Sequence, residues 1–229
     1  MAFVKAYMQV FTGENFILII EEPEAHLHPL AQRWLKEYIM DICSSGVQVI
    51  ISTHSPEFID ARYLDGLVRV YKDNGITKII QLSPNELCQH CIACGVPESK
   101  ANPENIIEYY NTRLFQDQLK GFFAEKILLV EGATEYFSLP IYFKKAEYNL
   151  AKEGIEIVNC RGKSAILLYY RLFTAYGYPC YCLFDADEKT KKLTRNLADY
   201  LAYRIGIVKL TTLFVNQNMH TSEKILKAI

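Results

Sequence analysis

Short apolar runs that stop abruptly at polar residues recur along this chain, and amphipathic stretches fill most of the gaps between them. Phe16–Ile20 ends in Glu21-Glu22-Pro23, Val47–Ser52 leads into Thr53-His54-Ser55, and Ile127–Val130 ends at Glu131-Gly132. Ile155–Asn159 leads into Cys160-Arg161-Gly162-Lys163-Ser164, and Tyr181–Phe184 stops at Asp185-Ala186-Asp187-Glu188. Among them Ile127–Val130, four consecutive apolar residues with a β-branched member at each end, predicts a strand buried on both faces. Between the first two, Trp34, Leu35, Tyr38, Ile39 and Ile42 fall at spacings of three and four, which predicts a helix over roughly residues 30–42. Strand, helix and strand in that order predict a parallel βαβ unit. Leu67–Tyr71 and Thr77–Leu82 flank Asn74-Gly75, a dipeptide that favours tight primed turns, so they predict a hairpin.

From Ser83 to about residue 123 the pattern is helical, opened by Ser83 and Glu86 as a capping box, broken at Pro97 and restarted at Asn102-Pro103. Helices are then expected over residues 136–153, broken by Pro140 near the start, and over 165–176. A helix over 196–203, a strand over 207–214 and a last helix over 216–229 complete the pattern. The fold class is α/β, with expected divisions at residues 1–82, 83–121 and 122–229.

The chemistry gathers at the strand ends. Glu131 sits where a buried strand stops, Gly132 frees the backbone to turn, and Glu135 follows four residues later on the expected first turn of a helix. Ligand sites of open α/β sheets lie at such carboxyl ends of parallel strands. If the strand ending at Asp185 and Asp187 is a neighbour, these carboxylates converge, and they repel one another unless a cation lies among them. Oxygen donors of this hardness point to Mg²⁺ or Mn²⁺, with Glu188 available to share.

Glutamate-glycine after one strand and D-x-D after a later one resembles the Toprim domain of topoisomerases, primases and a group of nucleases. The longer wording VEGATEYFSLP is similar to the OLD (overcoming lysogenisation defect) family of ATP-dependent nucleases. Earlier in the chain, four apolar residues before two acids form a Walker B pattern, and ILIIEEPEAHLHP followed by STHSPEF resembles ABC-class ATPases of the kind found in OLD proteins. The resemblance implies that Glu21 is the acid on the Mg²⁺ side, Glu22 the catalytic base and His54 a γ-phosphate sensor. It implies a partial ATPase lobe followed by a Toprim-like parallel sheet flanked by helices.

A phosphate-binding G-x-x-x-x-G-K-[ST] is not found: the one G-K-S, Gly162-Lys163-Ser164, has Ile157 where the first glycine belongs. The expectation is therefore a chain that starts partway through an ATPase and does not hydrolyse ATP alone. Lys163 serves either a phosphate or the plain surface. Lys189 and Lys191, with Lys192 and Arg195, make either a DNA-contacting patch or a solvated helix face. Lys209, Glu223, Lys224 and Lys227 are candidates for late Toprim residues without a motif to fix them.

Composition narrows the rest. With 229 residues, half of them apolar, and a net charge of −1, the chain has enough material for sizeable cores but no overall electrostatic footprint for nucleic acid. No run approaches the roughly 18 apolar residues of a membrane span, and the start lacks a signal peptide, so a soluble cytoplasmic protein is expected. Seven scattered cysteines, an odd number, argue for reduced thiols. Cys88, Cys91 and Cys94 have ligand-like spacing, but on a helix the same spacing lines three thiols along one face. His26 and His28 are read as packing and capping groups.

The function expected is an Mg²⁺- or Mn²⁺-dependent DNA endonuclease of the OLD type. In the whole protein an ABC-class ATPase binding ATP would govern it, as a homodimer, in phage defence or DNA repair. The alternative is a non-cutting remnant or regulatory module that binds metal or a partner. A primase- or topoisomerase-like protein fits less well, because an ATPase lobe is attached.

Overall fold

The structure, a computed structural model, describes residues 17–184. The chain divides between Ile59 and Asp60 into two compact units.

In the first unit β1 (Ile17–Glu21) pairs in parallel with β2 (Gln48–Ser52), from Ile17 opposite Gln48 to Glu21 opposite Ser52. The connecting helix α1 (Pro29–Ser44) starts with proline at a position whose N–H no helix could use. His28 caps it, its Nδ1 accepting the Leu30 N–H at 3.3 Å, which bears out the capping role read for this histidine. The helix buries Ile39 and Ile42, and Gly46, at φ +93°, turns the chain into β2. One face of α1 holds the segment after β2. Gln32 accepts from the Ser55 hydroxyl at 2.8 Å, Arg33 pairs with Glu57 at 3.1 Å, and the Lys36 ammonium donates to the Ile59 carbonyl at 3.1 Å.

The second unit is built on a three-stranded parallel sheet. The central strand β5 (Lys126–Val130) lies between β6 (Ile155–Asn159) and β7 (Cys180–Leu183). Its central place follows from its side chains: Ile127, Leu128, Leu129 and Val130 are all buried, as a strand covered on both faces requires. Helix α4 (Ala133–Lys145) follows β5, and α5 (Lys163–Ala175) follows β6. α4 differs from the expected span: it runs through Pro140 and stops at Lys145, where Ala146 caps it and Glu147 turns left-handed at φ +57°. Proline removes one helical hydrogen bond, but Glu135, Leu139 and Phe143 bury one face of α4 across it, and packing outweighs the local loss.

The hairpin β3 (Val68–Asp73) and β4 (Ile76–Gln81) turns at Asn74 (φ +50°) and Gly75 (φ +82°), the primed turn expected of Asn-Gly. Its position in the chain reads as the close of the first lobe, yet its contacts are with the second unit. The Arg69 guanidinium donates to the Tyr176 carbonyl at 2.7 Å and lies over the Tyr178 ring at 3.5 Å and the Tyr71 ring at 4.2 Å. Gly177, left-handed at φ +74°, ends α5 where any side chain would press within 2.9 Å of Ile80.

The helices α2 (Pro84–Ala93) and α3 (Pro103–Arg113) belong to the same body, with Tyr110 donating to the Leu168 carbonyl and Arg171 to that of Cys94. The capping box is made: Ser83 Oγ accepts the Glu86 N–H, and Glu86 accepts the Ser83 N–H at 2.8 Å. Phe122, Phe173, Tyr176 and Tyr178 form an aromatic core beside the sheet. Among the described residues no helix is long and apolar enough to cross a membrane.

Candidate functional sites at the strand ends

In the second unit, the backbone around Glu131 ties three strands together. Its N–H donates to the Leu183 carbonyl of β7 at 3.2 Å, while its own carbonyl accepts the Gly162 N–H at 2.7 Å. The Cys160 N–H donates to Val130 at 2.9 Å. The carboxyl end of β5 is thus flanked by the turn leaving β6 and by the chain leaving β7. That turn is sharp, with Arg161 at φ +59° and Gly162 at φ +138°, a conformation open to glycine and costly for other residues. Nothing lies within 4 Å of where a Gly162 side chain would start, so backbone geometry rather than crowding calls for glycine there.

The turn delivers Lys163, the first residue of α5, inward. Its ammonium lies 3.7 Å from Glu131 Oε2, and its side chain is only 6% exposed. Of the two roles open to Lys163 in the sequence, the plain surface lysine falls away. Glu135 folds back to the start of α4, where its Oε2 accepts the Gly132 N–H at 3.0 Å, and it is buried. This carboxylate therefore caps a helix through one of its oxygens. Asp185, Asp187, Lys189 and Lys191 lie outside the described residues, as do the late candidates from Lys209 onward. The chain enters that stretch from Phe184, next to the Leu183 carbonyl that Glu131 holds. Among the described residues no three acids, histidines or cysteines gather into a metal cage.

In the first unit the strand ends bring together two of the three expected residues. Glu22 takes a left-handed conformation at φ +44°, its N–H bound to the Ser52 carbonyl at 2.9 Å, and its carboxylate lies 3.9 Å from His54 Nε2. Both side chains are well exposed in this unit. Glu21 is the last residue of β1, opposite Ser52. The residue that sequence reasoning passed over is Glu24. One of its oxygens accepts the His54 N–H at 2.6 Å and the other the Thr53 hydroxyl at 2.8 Å, so it locks the loop after β1 to the loop after β2. Burial would raise its pKa, but the His54 and Glu24 N–H groups and the Thr53 hydroxyl outweigh that and hold the carboxyl below the ordinary range. The repeated acid in Glu-Pro-Glu was its only signal.

The thiols behave as core. Cys88, Cys91 and Cys94 are buried along α2 and its cap, and all seven cysteines are free. Burial pushes the Cys91 thiol up despite the Tyr110 hydroxyl 3.5 Å away, and it pushes Cys182 up to about 12.

Neighbouring parallel strands, one ending in Glu-Gly and the other followed in sequence by Asp-x-Asp, preceded by a unit with paired acids and a histidine at its strand ends, are features of an ATPase–Toprim protein. Residues 122–187 match the Toprim domain of overcoming lysogenization defect-like proteins, and residues 1–59 match the AAA ATPase domain. The chain is therefore similar to the OLD family in two separate parts, an AAA-type ATPase match followed by a Toprim match.

The Old nuclease of Escherichia phage P2 is 29% identical over 189 residues, which cover 82% of this chain and 30% of that protein. The OLD nuclease of Thermus scotoductus is 29% identical over 187 residues, 76% of this chain and 33% of its own length. The Nod factor export ATP-binding protein I of Ralstonia nicotianae is 35% identical over 82 residues, covering 36% of this chain and 24% of that protein. The chain spans about a third of the length of the two nucleases.

Proposed function

We propose that the Toprim unit is the cutting site of a divalent-metal-dependent DNA endonuclease, governed in the whole protein by an ATP-binding lobe. The observation that carries this reading is the placement of Glu131. It is held by backbone bonds to both neighbouring strand ends and faces the buried ammonium of Lys163. Its donor set suits the group implied. Glu131 and Glu135, joined by Asp185 and Asp187, offer only hard oxygens, the preference of Mg²⁺ and Mn²⁺. Such ions, when bound, lower the pKa of water and neutralise the phosphate.

The protein's own residues do the rest. Glu131 and the two aspartates would hold the ions, Glu135 would help while it fixes the start of α4, and Lys163 would offset negative charge where the scissile phosphate would sit. In the first unit Glu21 would hold Mg²⁺, Glu22 would orient water and His54 would contact the γ-phosphate, with Glu24 setting the position of the His54 loop. ATP would then control dimerisation or access to DNA, in phage defence or repair.

The test is plasmid nicking by the purified chain with Mg²⁺ or Mn²⁺, beside Glu131→Ala and Asp185→Ala. Nicking that both substitutions abolish supports the proposal. No nicking by the unaltered chain under any divalent ion favours a regulatory module that binds without cutting.

A further inference from the structure

Next to Glu131 lies a pair of side chains that the proposed chemistry leaves unused. Arg161 occupies the left-handed position of the turn after β6, one residue before the Gly162 N–H that binds the Glu131 carbonyl. The turn is held from below. The Arg161 N–H donates to Asn159 Oδ1 at 2.9 Å, and the Asn159 carbonyl accepts from the buried Gln118 amide at 2.8 Å. From this fixed base the guanidinium lies over the Phe115 ring, 4.2 Å from its centre. Phe115 is 48% exposed, so part of this aromatic residue meets water although Arg161 lies over its ring. Two residues back along the chain the arrangement repeats, with the Arg113 guanidinium 4.6 Å above the half-exposed ring of Tyr109.

We propose that Phe115 and Arg161 form a stacking platform for an unpaired DNA base flanking the phosphate served by Glu131; this rests on the nuclease reading above. An exposed aromatic face stacks on any base, but only on one that has left its own neighbours. A guanidinium over such a ring adds a second flat group and donors suited to phosphate. One group opposes it. The exposed Asp117 carboxylate lies 3.5 Å from Arg161 Nη2 and competes with any phosphate that approaches there.

That opposition gives the platform a signature that a merely structural network lacks. With the full chain in EDTA, so that nothing is cut, the anisotropy of a fluorescein-labelled oligothymidylate about twenty nucleotides long reports affinity. Phe115→Ala should weaken binding about tenfold, the order of one lost base stack, and Phe115→Trp should restore it. Arg161→Asn, a residue that tolerates the left-handed turn, should weaken binding and flatten its salt dependence by about 0.7 in log–log slope. Asp117→Asn should tighten binding two- to threefold, roughly the relief of one screened repulsion. A blunt hairpin duplex should bind more weakly and ignore Phe115.

Glu131→Ala and Asp185→Ala should abolish nicking, whereas the loss of oligothymidylate affinity caused by Phe115→Ala in EDTA should persist in either background, so the two proposals fail separately. A chain that never nicks but loses oligonucleotide binding in Phe115→Ala keeps the platform and loses the nuclease. Unchanged affinity in Phe115→Ala, with melting temperature intact, overturns the platform. So does a change confined to self-association, which would assign the surface to protein contact.

Discussion

The capping contact of Glu135 allows its structural and chemical roles to be separated. In Glu135→Ala the Gly132 N–H loses the carboxylate oxygen that accepts it at 3.0 Å, in a part of the protein where Glu135 is buried. A charge-assisted bond of this kind contributes about 1.5–3 kcal/mol, and the favourable field of a helix start adds about 0.3–1 kcal/mol. Because these contributions are not additive, the alanine variant should lose about 2 kcal/mol. For a protein of this size that lowers the melting temperature by about 4–8 °C. Glu135→Gln keeps an acceptor of the same shape and loses only the charge, so its cost should stay near 0.5–1 kcal/mol.

Nicking assays at a temperature well below both transitions then read the chemical role. If the second carboxylate oxygen helps to hold a divalent ion, the glutamine variant should be folded yet need much more Mg²⁺ for half-maximal nicking. A glutamine variant with the metal requirement of the unaltered chain would refute that role and leave Glu135 a helix cap. An alanine variant with no loss of stability would refute the cap.

Three further outcomes are expected. Arg69→Ala removes the bond to the Tyr176 carbonyl and the cation–π contacts with Tyr71 and Tyr178. It should cost about 2–3 kcal/mol in urea unfolding of the second unit; a cost near zero would mean that the hairpin does not dock through this residue. The Glu24 carboxyl, held below its ordinary range, contributes stability above the unfolded value of about 4.3 that is lost as pH falls through the lower folded value. Protection of the His54 amide from hydrogen exchange should accordingly fall in acid for the unaltered chain and depend little on pH in Glu24→Gln. Cys160, Cys180 and Cys182, whose thiols burial holds far from ionisation, should resist iodoacetamide at neutral pH in the folded chain and react in urea; mass spectrometry of native-state labelling checks this.

Much of the architecture was legible along the chain because its signals are local. β6 spans the predicted residues, β5 begins one residue early, and the Asn-Gly turn and the Ser83–Glu86 capping box form as their chemistry requires. Pro140 misled because a proline's cost is local while its compensation is not: Leu139 and Phe143 find their partners on the sheet. Lys163 could be read equally as a surface group or a buried one, since a lone lysine after a glycine carries no sign of which way the turn will aim it. The same limit hid Glu24, whose partners, Thr53 and His54, lie about thirty residues away.

Periodicity and motif wording were enough to establish which segments are strands, which acids end them, and that the chain carries an ATPase-type and a Toprim-type part in sequence. Only folding in three dimensions decided that the hairpin belongs with the second unit, that Lys163 turns inward to Glu131, and that Arg161 comes to rest on Phe115. The reason is physical. Alternation and capping act between residues a few positions apart, whereas burial and the pairing of charges depend on surfaces that meet only after the sheet has formed.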